Sequence, residues 1–303
     1  MFWTQRQDIG PPARLQVAAA FDGGRQRLVV HGGITASATP SRDTWEWDGE
    51  LWTQVAGTGP PSLFLGAMAY DAERKRIVLF GGQDEHWVPI RDTWEWDGDA
   101  WTQVADTGPP GRCSHAMAFD ASRKEIVLFG GYSPQSAHGY VDTWAWDGTD
   151  WTQKEDVGPG ARLCHAMAYD ANRARVTMFG GCSEVEFVDA PLGDTWEWDG
   201  WKWAAAADTG PAPRWGHGMT YEGKSVLLYG GAKGYSYPDD LFGDTWVWDG
   251  KLWTQVQDIG PSPRAYPAIG YDSARARVVI FGGWPGQIAL GDTWGWFDHS
   301  VAV

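Results

Sequence analysis

A pair of adjacent glycines recurs six times, at Gly32–Gly33, Gly81–Gly82, Gly130–Gly131, Gly180–Gly181, Gly230–Gly231 and Gly282–Gly283. Successive pairs are 49, 49, 50, 50 and 52 residues apart. An Asp-Thr-Trp triplet follows each pair, opened in turn by Asp43, Asp92, Asp142, Asp194, Asp244 and Asp292. A unit repeated at this period cannot bury its apolar faces alone, so each copy has to stack on its neighbours. One architecture must therefore account for the whole chain.

The third copy shows what a unit contains. Ile126-Val127-Leu128-Phe129 is a short apolar run that ends on the glycine pair, as a buried strand does. Thr143–Trp146 alternates, with Trp144 and Trp146 on one side and Thr143 and Ala145 on the other, the period of a strand. Asp147-Gly148 marks a tight hairpin, because glycine accepts a positive φ without steric cost. Each unit predicts four antiparallel strands, here called a to d in chain order.

The paired glycines, the Trp after Asp-Thr and the Trp that opens strand d (Trp52, Trp101, Trp151, Trp203, Trp253) resemble the kelch repeat. The resemblance covers essentially the whole chain. It implies an all-β fold, a six-bladed kelch β-propeller with four antiparallel strands per blade. The sixth unit stops after strand c at Trp296, while Trp3-Thr4-Gln5 repeats the missing strand d. Residues 1–7 are thus expected to supply strand d of the blade formed by residues 264–298. That would close one domain over residues 1–303 and remove the open edges of a broken ring.

Composition then narrows the function. The net charge of −15 argues against nucleic acid and anionic membrane surfaces, which reward clustered Lys and Arg. No apolar run approaches the roughly 18–20 residues of a membrane helix. The opening MFWTQRQD lacks the basic start and apolar core of a signal peptide, so a cytoplasmic location is expected. Three cysteines are too few for a disulfide framework. Of the 22 tryptophans, two per strand c and one per strand d are architectural, which leaves Trp87, Trp201, Trp215 and Trp284.

Because strands alternate in direction, the a–b and c–d turns share one face and are nearly uniform. The b–c and d–a connections share the other and differ from copy to copy, and variable loops on a rigid scaffold are where binding sits. Ligand-binding candidates on that face are Phe64, Leu65, Trp87, Cys113, Tyr132, Cys164, Cys182, Trp215, Tyr235, Tyr266 and Trp284. Tyr140, Tyr237, Phe187 and Phe242 also break the repeat there. An Arg recurs where strand a begins (Arg14, Arg112, Arg162, Arg214, Arg264), with Leu63 as the exception, and reads as a structural anchor.

The expected activity is binding of a partly apolar or aromatic small molecule, or a peptide or protein partner, on the loop face. The alternatives are a purely structural propeller and a cofactor-independent isomerase, cyclase or lyase. The enzyme would draw an acid–base pair from His86, Glu184, Glu186 and Asp239 at the channel mouth. His115 and His165 beside cysteines invite a metal site, but His217 holds the same repeat position without one, and no CxxC or HxxxH spacing occurs. Neither a metal nor a cofactor is expected. The catalytic motifs of kelch-type enzymes do not transfer: Glu186 and Asp189, for instance, are too close for a Glu-x3-Asp-x3-His iron pattern.

Overall fold

The computed structural model describes residues 2–7, 9–135, 139–155, 157–183 and 190–297. Six four-stranded antiparallel sheets form a ring, each ordered a-b-c-d from the channel outwards. Blade 3 is representative, with strands Ala116–Asp120, Glu125–Phe129, Thr143–Trp146 and Trp151–Glu155. Blade 6 takes Ala268–Asp272, Arg277–Phe281 and Thr293–Phe297 from the end of the chain and Phe2–Gln7 from its start. Trp3 pairs with Trp296 and Gln5 with Trp294, so the N-terminal strand completes the last blade.

Each blade is packed on both faces, which is why Thr143 and Ala145 are as buried as Trp146. Six hydrophobic clusters occupy the six interfaces between adjacent blades. One joins Val78 and Phe80 of blade 2 to Ile126, Leu128 and Trp146 of blade 3. Another joins Val279 and Phe281 of blade 6 to Leu28, Val30 and Trp47 of blade 1. A large aromatic removes roughly 150–250 Å² from water, so the tryptophans dominate this burial.

The indole of each strand d is stitched to the blade before it. Trp101 Nε1 donates to Thr44 Oγ1 at 2.8 Å, Trp151 to Thr93 at 2.8 Å, Trp203 to Thr143 at 2.9 Å and Trp253 to Thr195 at 2.8 Å. The ring closes on the same contact: Trp52 donates to Thr293 at 2.8 Å and Trp3 to Thr245 at 3.0 Å. Repetition of Asp-Thr-Trp therefore has a physical cause. Thr receives the neighbouring blade's indole, and Asp receives its own blade's: Trp144 Nε1 donates to Asp142 at 2.7 Å.

Asp also holds the recurring arginine. The fully buried Arg112 makes a forked pair with both Asp142 oxygens at 2.6 and 2.8 Å and donates to the Gly130 carbonyl at 2.9 Å. Arg14–Asp43, Arg162–Asp194, Arg214–Asp244 and Arg264–Asp292 repeat it. Burial alone would raise the Asp43 carboxyl, but Arg14, Ser41 and Trp45 outweigh it and lower it to about 2. Blade 2 lacks this anchor. Leu63 replaces the arginine, the Asp92 carboxyl is raised by burial and by Asp106, and the buried Trp94 Nε1 has no partner.

In the a–b turns, Asp22 accepts from the backbone of Gly24 and Arg25 and pairs with the Arg25 side chain at 2.7 Å. Asp71–Arg74, Asp120–Arg123, Asp170–Arg173 and Asp272–Arg275 do likewise. Among the described residues, no helix is long and apolar enough to cross a membrane.

Candidate aromatic binding site

Two short local rules build the loop face. The residue after the recurring Arg pairs with the residue after Gly-Gly: Leu15 with Ile34, Phe64 with Gln83, Cys113 with Tyr132, Leu163 with Cys182, Trp215 with Ala232 and Ala265 with Trp284. The next residue turns left-handed in every blade. Gln16, Leu65, Ser114, Cys164, Gly216 and Tyr266 have φ of 57°, 58°, 58°, 56°, 63° and 55°. This turn lets five of the six backbone N–H groups reach the same carbonyl of the preceding blade, Leu65 to Gln16, Ser114 to Leu65, Cys164 to Ser114, Gly216 to Cys164 and Tyr266 to Gly216. A ring of peptide groups thus narrows the channel at this face.

Beneath the ring lies a space of about 120 Å³ lined in part by His115, His165 and His217. Burial lowers His115 and His217 to about 3, so they are neutral. Each of the three imidazoles packs edge-on against a phenyl ring, His115 on Phe80, His165 on Phe129 and His217 on Phe179, at 5.6, 5.7 and 5.5 Å. They act as inter-blade spacers. Among the described residues no group of three His, Cys, Asp or Glu could hold a metal ion.

Above the ring the loops frame an open cavity of about 470 Å³, with Trp87, Tyr235 and Ile288 exposed among its lining. Six aromatic side chains line it: Trp87, Trp215, Tyr235, Tyr237, Tyr266 and Trp284. Leu15, Gln16, Ile34 and Thr35 of blade 1 and Gln287, Ile288 and Ala289 of blade 6 supply much of the rest. Trp215 lies 5.2 Å from Tyr235 and 5.7 Å from Tyr266, centroid to centroid. Tyr235 stands at 86° to Tyr237, and Tyr237 rests on Trp284 at 4.4 Å.

The loops that carry these rings are pinned from behind. The Asp240 carboxylate accepts the Ser236 N–H at 2.7 Å and lies 3.6 Å from Lys233 Nζ. Asp84 accepts the backbone N–H of His86 and Val88, both at 2.9 Å, and this turn holds Trp87 at a φ of 62°. A left-handed tryptophan is sterically costly and persists only where its surroundings fix it. Its ring stands edge-on to the buried Phe64 at 5.0 Å. Gly286 has a φ of 100°, and a Cβ there would lie 2.5 Å from Tyr237 Cβ. Glycine at this position lets the blade 6 loop close on Tyr237.

Trp215 belongs to a seventh hydrophobic cluster, with Leu163, Cys164, Cys182, Ala232, Leu241 and Ala265, against which Tyr237 and Tyr266 pack. Cys164 Sγ sits 3.3 Å from Tyr266 Oη. Cys182 donates to the Leu163 carbonyl at 3.6 Å, and the neighbouring Cys164 together with burial pushes its thiol up. Burial pushes Cys113 up to about 12. All three cysteines are free and buried.

Of the residues singled out in the sequence, Trp87, Trp215, Tyr235, Tyr266 and Trp284 line the cavity. Cys164 and Cys182 do not line it but belong to the hydrophobic cluster that holds Trp215, against which Tyr132 also packs. Leu65 belongs to the peptide ring and lines the space beneath it, and Phe64 buttresses Trp87. Cys113 pairs with Tyr132 away from the cavity wall. His86 and Asp239 are exposed and do not line the cavity. Glu184, Glu186, Asp189 and Phe187 lie outside the described residues. Tyr140 and Phe242 cover anchors instead, with the Arg112 and Arg214 guanidinium carbons 4.0 and 3.9 Å from their ring centroids.

The central channel is the larger space, about 730 Å³, and opens on the opposite face. Its wall repeats the same small residues blade after blade, and its rim carries Phe21, Tyr70, Phe119, Tyr169, Tyr221 and Tyr271. That second aromatic ring escapes a search for departures from the repeat, because it is part of the repeat. Some of its hydroxyls stitch turns together. Tyr70 Oη accepts the Gly24 N–H at 3.1 Å, and Tyr169 Oη accepts that of Ser122 at 3.2 Å.

Comparison with protein-family models found no matching family, and comparison with curated proteins found no matching protein.

Proposed function

We propose that this chain is a kelch-type propeller that binds a partly apolar small molecule in the aromatic cavity of its loop face. The observation that carries this reading is the convergence of six aromatic rings on one cavity of about 470 Å³. A space of that size, walled by rings and a few polar groups, matches what small-molecule sites look like. Its tryptophans and tyrosines are surplus to the blade pattern, so the fold does not require them there.

Binding is favoured over acid–base catalysis for a chemical reason. Among the described lining residues the only titratable side chains are tyrosines, and Tyr235 and Tyr237 are raised, chiefly by burial. A proton-transferring site needs a group that titrates near its working pH. The test is a titration with 2-naphthol, followed by tryptophan emission, on the parent protein and on Trp215→Ala and Trp284→Ala. Saturable quenching that both variants lose supports the proposal. Absence of saturable binding in the parent, or equal binding in both variants, overturns it.

A further inference from the structure

The cavity's chemistry narrows its ligand class. Resting on the proposed loop-face site, we infer that the preferred ligand carries a methylated ammonium group, a cation with an apolar shell.

Among the described lining residues there is no Lys, Arg or His, so a carboxylate or phosphate would find no counter-charge. An anion would also approach against a net charge of −15. Polyhydroxylated ligands need dense hydrogen bonding with many acceptors, and here the side-chain polar groups are Gln16, Thr35, Gln287, the phenols and the donor-only indole N–H groups of Trp87, Trp215 and Trp284. What remains is an apolar neutral molecule or a cation that makes no hydrogen-bond demand.

What the walls offer favours the cation. Tyr235 and Tyr237 meet at 86° and Tyr237 packs against Trp284 at 59°, so the lining rings are inclined in different directions around the space. Aromatic faces carry negative electrostatic potential, and several of them around one point attract an ammonium whose methyl groups block hydrogen bonding to water. Asp240 stands behind this wall as one half of an ion pair with Lys233, close enough to raise the Tyr237 phenol. Lys233, 3.6 Å from Asp240, is about half exposed and does not line the cavity. A quaternary ammonium therefore gains from the ring faces and from whatever field of Asp240 its partner Lys233 leaves, whereas its neutral isostere gains only from burial.

The pair that separates these contributions is choline and its neutral isostere 3,3-dimethyl-1-butanol, titrated at constant ionic strength with tryptophan emission and calorimetry as readouts. The inference expects saturable choline binding at least tenfold tighter than the isostere. It also expects loss of choline binding in Trp284→Ala and a several-fold loss in Asp240→Asn. Circular dichroism on each variant separates a lost site from a lost fold, and Trp284→Phe should retain part of the affinity. If the isostere or 2-naphthol binds as well as choline does, the ligand class is wrong while the loop-face site stands. If none of the three binds, the site itself is wrong.

Discussion

The Tyr237 ring packs against Trp284 with centroids 4.4 Å apart and planes tilted by 59°, and the two residues come from b–c loops of different blades. Neither belongs to the repeating pattern, and neither enters the six inter-blade clusters. Their contact is where two individualised loops are joined into one wall. Stability and binding should therefore separate cleanly by mutation.

Gly286→Ala tests that separation. A Cβ at this position would collide with Tyr237 Cβ at 2.5 Å, and φ of 100° disfavours any side chain. The loop must move, but the inter-blade tryptophans are elsewhere. We expect at least tenfold weaker ligand binding with Tm lowered by no more than a few degrees, measured by titration and thermal melting.

The missing anchor of blade 2 gives a paired comparison. Asp244 is gripped by the buried Arg214, so Asp244→Asn leaves an unpaired guanidinium in the interior, a loss of about 3–5 kcal/mol. Asp92 has only Leu63 in the corresponding place, and Asp92→Asn should cost no more than about 0.5 kcal/mol. Denaturant melts of the two variants check this, and equal losses would contradict it.

Stability should fall steeply in acid. Burial lowers His31 to about 4 and His115 and His217 to about 3, below the ordinary value of 6.5. The unfolded chain then takes up protons that the folded chain refuses. Their contribution is complete above about pH 6.5 and is lost as pH falls toward 3. Asp43, lowered to about 2, acts in the same direction between its ordinary 3.8 and 2. We expect Tm to decline from pH 7 to pH 4, and the decline to be shallower in His115→Gln. A variant whose Tm shows the same slope would contradict the assignment.

Ring closure rests on the N-terminal strand. Trp3 is buried and donates to Thr245, so Trp3→Ala should cost about 3–5 kcal/mol. Deleting residues 1–7 should cost more, because it also bares the edge of strand c in blade 6. An unchanged Tm after deletion would contradict this.

Much of the fold was legible because six copies report the same solution. The glycine pairs, Asp-Thr-Trp and the displaced Trp3 give blade number, strand number and closure without coordinates. The partners inside each blade were less visible. Arg112 meets Asp142 across a loop of variable length, so Leu63 stood out as an exception while the consequence for Asp92 and Trp94 did not. Subtracting the repeat isolated Trp215, Tyr235, Tyr237, Tyr266 and Trp284, and it also isolated Tyr140 and Phe242. Only the reach of each loop distinguishes a ring that faces the cavity from one that covers an arginine. Thr35, Gln287, Ile288 and Ala289 carry no signal beyond lying in irregular loops. His86 and Asp239 were plausible as residue types, but their loops turn them to solvent.

Crystals of the protein soaked with a mixture of methylammonium and neutral aromatic fragments address the central claim most directly. Ligand density should appear between Trp215, Tyr237 and Trp284, above the peptide ring of Gln16 and Tyr266. Density confined to the channel rim at Tyr70 and Tyr169, on the uniform face, would contradict it.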